Sequence, residues 1–200
     1  MSKTKSAFFC QNCGHETPKW LGKCPGCSSW NTLIEEIKVK KSGSSSFSSK
    51  SSNSIPVSIT KIEQNENQKY KLEDIELNRV LGGGIVQGSM ILVGGDPGIG
   101  KSTLMLQLAV NENLKILYVS GEESDQQIKM RAERIGIKNQ DCFILTETNL
   151  ESILNHTASV EPAVVIIDSI QTVHSNHLES APGSVTQVRE CTAHLLRKAK

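Results

Sequence analysis

The sequence predicts an α/β fold: an open, largely parallel sheet carrying a phosphate-binding loop, preceded by a small four-cysteine module. Three observations predict it. Short apolar runs alternate with helix-like runs from about residue 70 onward, the pattern of strands joined by helical crossovers. A Gly-x-x-x-x-Gly-Lys-Ser stretch, Gly95–Ser102, lies between one such run and a helix-like segment. Two Cys-x-x-Cys pairs lie near the start of the chain. The chain has 200 residues and a formal net charge of +1, so its overall charge does not mark a nucleic-acid binder. The charge is unevenly placed: residues 1–50 carry eight Lys against three Glu, and the remainder is net acidic. No run approaches the about 18 apolar residues of a membrane span, and the start lacks the apolar core of a secretion signal. A cytoplasmic protein without membrane contact is expected, in which cysteines hold metal or fill cores rather than form disulfides.

Taken in order, residues 8–36 form the Cys-dense module, 37–69 a linker and 70–200 the α/β core. Nine of the thirteen residues from Ser42 to Ser54 are Ser, which predicts a flexible tether, because such a segment has too little apolar surface to offset its ordering entropy. In the core, Met90–Gly95 reads as a buried strand and Thr103–Ala109 as helix. Lys115–Ser120 is a second strand, and Ser124–Ile135 a charged helix stopped at Gly136. Cys142–Leu145 is a short strand. Asn149–Val160 is an amphipathic helix with Leu150, Ile153 and Leu154 on one face. Ala163–Asp168 is an unbroken apolar strand of the kind covered on both faces, and Ser184–Lys200 is a final helix.

Gly95, Asp96, Pro97, Gly98, Ile99, Gly100, Lys101 and Ser102 give the phosphate loop its chemistry. Glycines let backbone N–H groups approach phosphate oxygens, and the following helix adds its positive end. Lys101 is expected to bridge the β- and γ-phosphates of ATP, and the Ser102 hydroxyl to ligate Mg²⁺. Thr103 would reach the α-phosphate or cap the turn. Asp168, closing an apolar strand, suits the acid that holds the metal. Glu122 and Glu123 follow a strand expected to end on the same sheet edge. Glu122 is the first choice as general base and Glu123 the second; the alternative is that they start the next helix, where acids favour the dipole. Gln171, three residues past Asp168, is either a γ-phosphate sensor or an ordinary loop polar group.

Cys10, Cys13, Cys24 and Cys27 can supply four thiolates to a tetrahedral Zn²⁺. A module of this size has little core, so metal binding would supply its folding free energy. Gly14 suits a left-handed turn after Cys13. His15 is read as a surface residue beside a filled site, and Cys142 and Cys191 as buried thiols. Between the Cys pairs, the adjacent Lys and Trp of Pro18–Lys23 could stack on a base and pair with a phosphate; the competing and favoured reading places Trp20 and Trp30 in the small core of the module. Lys19 and Lys23 are left as DNA contacts.

CQNCGHETPKWLGKCPGCSSWNTLIEE, LNRVLGGGIVQGSMILVGGDPGIGKSTLMLQLA, YVSGEES and VVIIDSIQT closely resemble the bacterial RadA (Sms) DNA-repair family over residues 8–200. The resemblance implies a RecA-like P-loop ATPase core behind a four-cysteine zinc finger. It also implies a DNA-dependent ATPase of recombinational repair that binds single-stranded DNA, works as a homo-hexamer and drives branch migration of recombination intermediates beside a RecA-type recombinase. It assigns the zinc ligands to Cys10, Cys13, Cys24 and Cys27, the Walker A loop to Gly95–Ser102, the Walker B acid to Asp168 and the catalytic glutamate to Glu122. The family continues into further core strands, a K-N-R-F-G motif and a Lon-protease-like domain. One of those strands lies between the Asp168 strand and the phosphate-loop strand. This chain is therefore expected to be an N-terminal part whose sheet has a gap beside the nucleotide site. Two other readings stand beside it: a zinc-dependent DNA- or protein-binding module without ATP turnover, and a KaiC-like signalling ATPase, which shares Gly82–Gly84 and the Glu pair.

Overall fold

The computed structural model of the chain describes residues 5–38, 56–62 and 69–200. The Ser-rich tether expected from Ser42 to Ser54 lies outside the described residues.

The N-terminal module is a three-stranded antiparallel sheet of order β2-β1-β3, with β1 at Lys5–Cys10, β2 at Glu16–Thr17 and β3 at Leu33–Lys38. Cys10, Cys24 and Leu33 form its buried cluster, with Phe8 and Cys27 packed against them, and Ala7 and Thr17 are buried as well. The two tryptophans do not join that core: Trp20 is 54% and Trp30 69% exposed. Their expected place is taken by the cysteine cluster, which fills the interior of so small a module.

β4 (Lys69–Tyr70) pairs antiparallel with β5 (Ile85–Val86), and α1 (Ile75–Val80) lies in the connection between them. The main sheet has three parallel strands, β6 (Ile116–Ser120), β7 (Cys142–Thr146) and β8 (Val164–Asp168), in the order β7-β6-β8. The helices are α2 (Lys101–Asn111), α3 (Asp125–Ile135), α4 (Leu150–Val160) and α5 (Val185–Ala199). Each of the last three begins where the sequence signals it. Ser124 caps α3 in a reciprocal capping box with Gln127, Asn149 accepts from Ser152 N–H, and Ser184 accepts from Gln187 N–H.

β6 is the centre of the fold, with all five residues buried. Strand alternation divides them between two cores. Ile116 and Tyr118 pack with Leu106, Ala109 and Val110 of α2 and Ile128 and Ala132 of α3. Leu117 and Val119 pack with Leu150 and Ile153 of α4, with Val173, and with Cys191 of α5. The Cys191 thiol is buried as expected, whereas Cys142 is half-buried.

Two expectations change at the β8 edge. Residues 90–95 are in no strand among the described residues, and Ile91, Leu92 and Val93 are exposed, Leu92 by 84%. An apolar run becomes a strand only where a neighbour pairs its backbone groups. Among the described residues β8 is hydrogen-bonded to β6 alone, and none pairs with residues 90–95. For the same reason only Ile166 of β8 is fully buried. Among the described residues, β8 is an edge of the sheet on the side of the phosphate loop.

Candidate functional site

Parallel register brings the functional ends of the strands to one edge. Ser120 is the partner of Asp168 across β6–β8 and of Thr146 across β6–β7. The turn after β6 that carries Glu122 and Glu123 thus emerges beside Asp168, at the carboxyl edge where α/β sheets take ligands.

The phosphate loop runs into α2 at this edge. Gly98 and Gly100 have φ of +78° and +100°, a region that side chains rarely tolerate, which is why glycine recurs there. Gly100 starts α2, and Leu104 N–H donates to its carbonyl at 2.9 Å. The first amides of α2 have no partner within the helix, so the helix opens on free donors and a positive dipole end. Lys101 Nζ donates to the carbonyls of Gly95 and Asp96, both at 2.9 Å. The ammonium is folded over its own loop, where a phosphate would compete for it. Thr103 and Ile99 are exposed, and Pro97 is in the exposed turn.

Ser102 and Asp168 are 66 residues apart in sequence and in contact in space. Ser102 Oγ donates to Asp168 Oδ1 at 3.0 Å. Tyr118 Oη donates to Asp168 Oδ2 at 2.7 Å. Burial, and then Asp168, push the Tyr118 phenol well above its ordinary value, so it stays a donor. A hydroxyl and a carboxylate oxygen at the head of α2 are the hard oxygen donors Mg²⁺ takes. The residues present fit the ion.

The two glutamates separate. Glu123 is tied down: Arg131 Nη1 donates to its Oε1 at 2.6 Å, and Arg131 Nη2 donates to the Ser102 carbonyl at 3.2 Å. Glu123 therefore fixes α3 to the start of α2. Glu122 Oε1 accepts only an exposed bond from Ser169 Oγ at 3.2 Å. Gln171 is exposed on the loop beyond β8. Sequence reasoning missed Tyr118, Arg131 and Ser169. Tyr118 had a readable signal, since alternation along Ile116–Ser120 puts it on the face of the strand opposite Leu117 and Val119. Arg131 had none, because its partners lie in other elements.

In the N-terminal module the four thiols form a group whose sulfurs all lie within 4.8 Å of one another. Cys10 Sγ and Cys27 Sγ are 3.5 Å apart, and Cys13 Sγ and Cys24 Sγ 3.6 Å. Tetrahedral Zn–S bonds of about 2.3 Å require edges of about 3.8 Å, so the cluster fits the ion. The two knuckles repeat one pattern. Gly14 N–H donates to the Cys10 carbonyl and Ser28 N–H to the Cys24 carbonyl, each at 2.8 Å. Cys10 N–H donates to the His15 carbonyl and Cys24 N–H to that of Ser29. Gly14 and Ser28, both four residues past a first cysteine, have φ of +71° and +61°. His15 lends its backbone to this pattern.

The thiols pull apart in acidity. The Thr32 hydroxyl, 3.2 Å from Cys10 Sγ, holds that thiol down to about 6. Ser29 lowers Cys27. Cys13 is pushed up to about 12: the His15 N–H lowers it, but burial and the other three thiols outweigh that. Four thiols this close cannot all ionise without a cation among them, which a divalent metal supplies. Among the described residues no helix is long and apolar enough to cross a membrane.

Comparison with known proteins agrees with this geometry. The model described as rubredoxin metal binding domain matches residues 8–35. The chain is 51% identical to DNA repair protein RadA of Bacillus subtilis, 52% to that of Halalkalibacterium halodurans and 48% to that of Listeria monocytogenes. In each case all of this chain is matched, and it spans 44–45% of the relative's length. The model described as AAA domain matches residues 60–200, and with its phosphate loop, Asp168 and RadA relatives, the chain belongs to the AAA domain family.

Proposed function

We propose that the chain carries the zinc module and nucleotide-binding part of a DNA-repair ATPase, one that hydrolyses ATP in response to single-stranded DNA and promotes branch migration in recombinational repair. The pairing of Ser102 Oγ with Asp168 Oδ1 at 3.0 Å carries the nucleotide half of the reading. It joins the end of the phosphate loop to the acid of β8, as Mg²⁺-nucleotide binding requires. The RadA name of relatives near 50% identity supports the DNA half. A homo-hexamer, a RecA-type recombinase as partner and a cytoplasmic location belong to the same reading.

Mg²⁺ would neutralise charge on the β- and γ-phosphates; Ser102 and Asp168 would hold it, directly or through water. The loop amides from Gly98 to Ser102 bind phosphate oxygens, and Lys101 exchanges its carbonyls for them. Glu122, free of any cation partner and next to the Asp168–Ser169 turn, orients and deprotonates the attacking water. Glu123 is committed to Arg131 and keeps α3 in place.

The test is ATP turnover by the zinc-loaded chain with and without single-stranded DNA, alongside Glu122→Gln. DNA-stimulated turnover that the substitution reduces by about 10²-fold or more supports the reading. Zinc-loaded, folded protein that binds DNA without turnover favours the adaptor reading instead. Turnover indifferent to DNA favours a signalling ATPase.

A further inference from the structure

Trp20 and Trp30 are 54% and 69% exposed, although a small module gains most by burying its largest apolar side chains. They are placed by structure, not left loose. Lys23 and Trp30 form an antiparallel bridge, and Asn31 N–H donates to the Gly22 carbonyl at 2.9 Å. The two tryptophan-bearing segments therefore run side by side across the second knuckle. A Cβ at Gly22 would lie 3.7 Å from Trp30 Cζ3 and 3.8 Å from Trp20 Cη2. Both indoles thus border the same side-chain-free spot. Lys23 Nζ is 5.8 Å from the centre of the Trp30 ring, and Lys19 adjoins Trp20. From Thr17 to Asn31 the chain carries two lysines and no acid.

We infer that Trp20, Trp30, Lys19 and Lys23 form a base-stacking site for single-stranded DNA on the zinc module, separate from the nucleotide site. Two exposed flat rings beside Gly22, with cations on the same segment and no carboxylate, present what single strands offer in complement: π-faces for the rings and phosphates for the ammonium groups. An aromatic surface for a protein partner would show the same rings, but the lysines beside them favour a polyanion. The inference rests on the single-stranded DNA reading above and adds to it where the strand is held.

Trp20 and Trp30 are the only tryptophans in the chain, so indole fluorescence reports this surface alone. The zinc-loaded chain is titrated with an oligothymidylate of about 20 nucleotides, reading indole quenching and, in parallel, anisotropy of a labelled strand. Saturable quenching that tracks the anisotropy is expected. Trp20→Ala with Trp30→Ala should weaken binding about 5- to 150-fold, the worth of one stacked base, while Trp20→Phe with Trp30→Phe retains most of it. Lys23→Gln should flatten the salt dependence. Zinc content of each variant shows whether the module has kept its fold, and the wild-type quenching does not depend on any variant. Anisotropy without quenching overturns the stacking site and leaves the DNA reading intact. Absence of both signals overturns the two together. Quenching by a protein partner but not by the oligonucleotide also overturns the inference.

Discussion

Tyr118 Oη is 2.7 Å from Asp168 Oδ2, with Ser102 Oγ 3.0 Å from the other carboxylate oxygen. Asp168 is thereby oriented from both sides, once by the buried strand β6 and once by the helix that carries the phosphate loop. Tyr118 is thus a positioning residue for the acid proposed to hold Mg²⁺. Tyr118→Phe keeps the buried ring and deletes one hydroxyl. The expected loss is about 1.5–3 kcal/mol of stability, the worth of a bond to a charged group. Because Asp168 then has freedom to rotate, the Mg²⁺ concentration that half-saturates nucleotide binding should rise several-fold. Thermal unfolding and an Mg²⁺ titration of fluorescent ATP analogue binding check both. An unchanged Mg²⁺ midpoint would leave Tyr118 with a packing role only.

Glu122 and Glu123 should respond in opposite ways. Glu123→Gln weakens a largely buried pair with Arg131 and leaves the guanidinium short of its counter-charge. It should cost about 1.5–3 kcal/mol of stability. Glu122→Gln touches one exposed bond and should leave stability within about 0.5 kcal/mol while lowering turnover. Denaturant unfolding of the two variants side by side separates them. Equal destabilisation would contradict the division of roles.

Zinc removal should unfold the module and spare the core. A chelator is expected to release one zinc per chain, expose four thiols to a thiol reagent and leave the unfolding transition of residues 69–200 near its original midpoint, since β6 and its two cores contain none of the four cysteines. Zinc affinity should fall with falling pH, because the ligands bind as thiolates. A metal-free chain that keeps all four thiols protected would contradict the site.

The turn after β7 supplies a pH test. The Asn149 N–H first, then the Ser152 side chain, hold the Glu147 carboxyl below the usual range. Glu147 Oε1 accepts from Thr148 N–H at 2.8 Å and from Asn149 N–H at 2.9 Å. A lowered folded-state pKa means the folded state binds the proton less readily than the unfolded one. The stabilisation is present above the unfolded value of about 4.3 and is lost as pH falls through the folded value. The melting temperature of wild type should exceed that of Glu147→Gln at neutral pH and converge on it below about pH 4. A gap that does not change with pH would rule out the charge as its cause.

Much of the fold was legible because local chemistry decided it. Ser124, Asn149 and Ser184 marked helix starts through their own side chains, and Gly136 marked a stop. The phosphate loop and the two Cys pairs were legible because glycine and cysteine spacing carries the chemistry. Met90–Gly95 was misread because its β character requires a neighbour, and pairing is a property of the sheet rather than of the run. Trp20 and Trp30 were misread because apolar size argues for burial, while in so small a module the sulfur cluster occupies the interior. The Arg131–Glu123–Ser102 tie joins three elements, and no spacing within one element encodes it.

Lys101, Ser102 and Asp168 are proposed to make a working Mg²⁺-nucleotide site although residues 90–95 are in no strand among the described residues. Equilibrium binding of ATP to the zinc-loaded chain, with and without Mg²⁺ and with Lys101→Ala, tests it most directly. Lys101 contacts only loop carbonyls, so the variant should stay folded, with stability changed by no more than about 0.5 kcal/mol. One site per chain is expected, with binding that requires Mg²⁺ and is lost in Lys101→Ala. A folded, zinc-loaded chain that binds no ATP at millimolar nucleotide would contradict it.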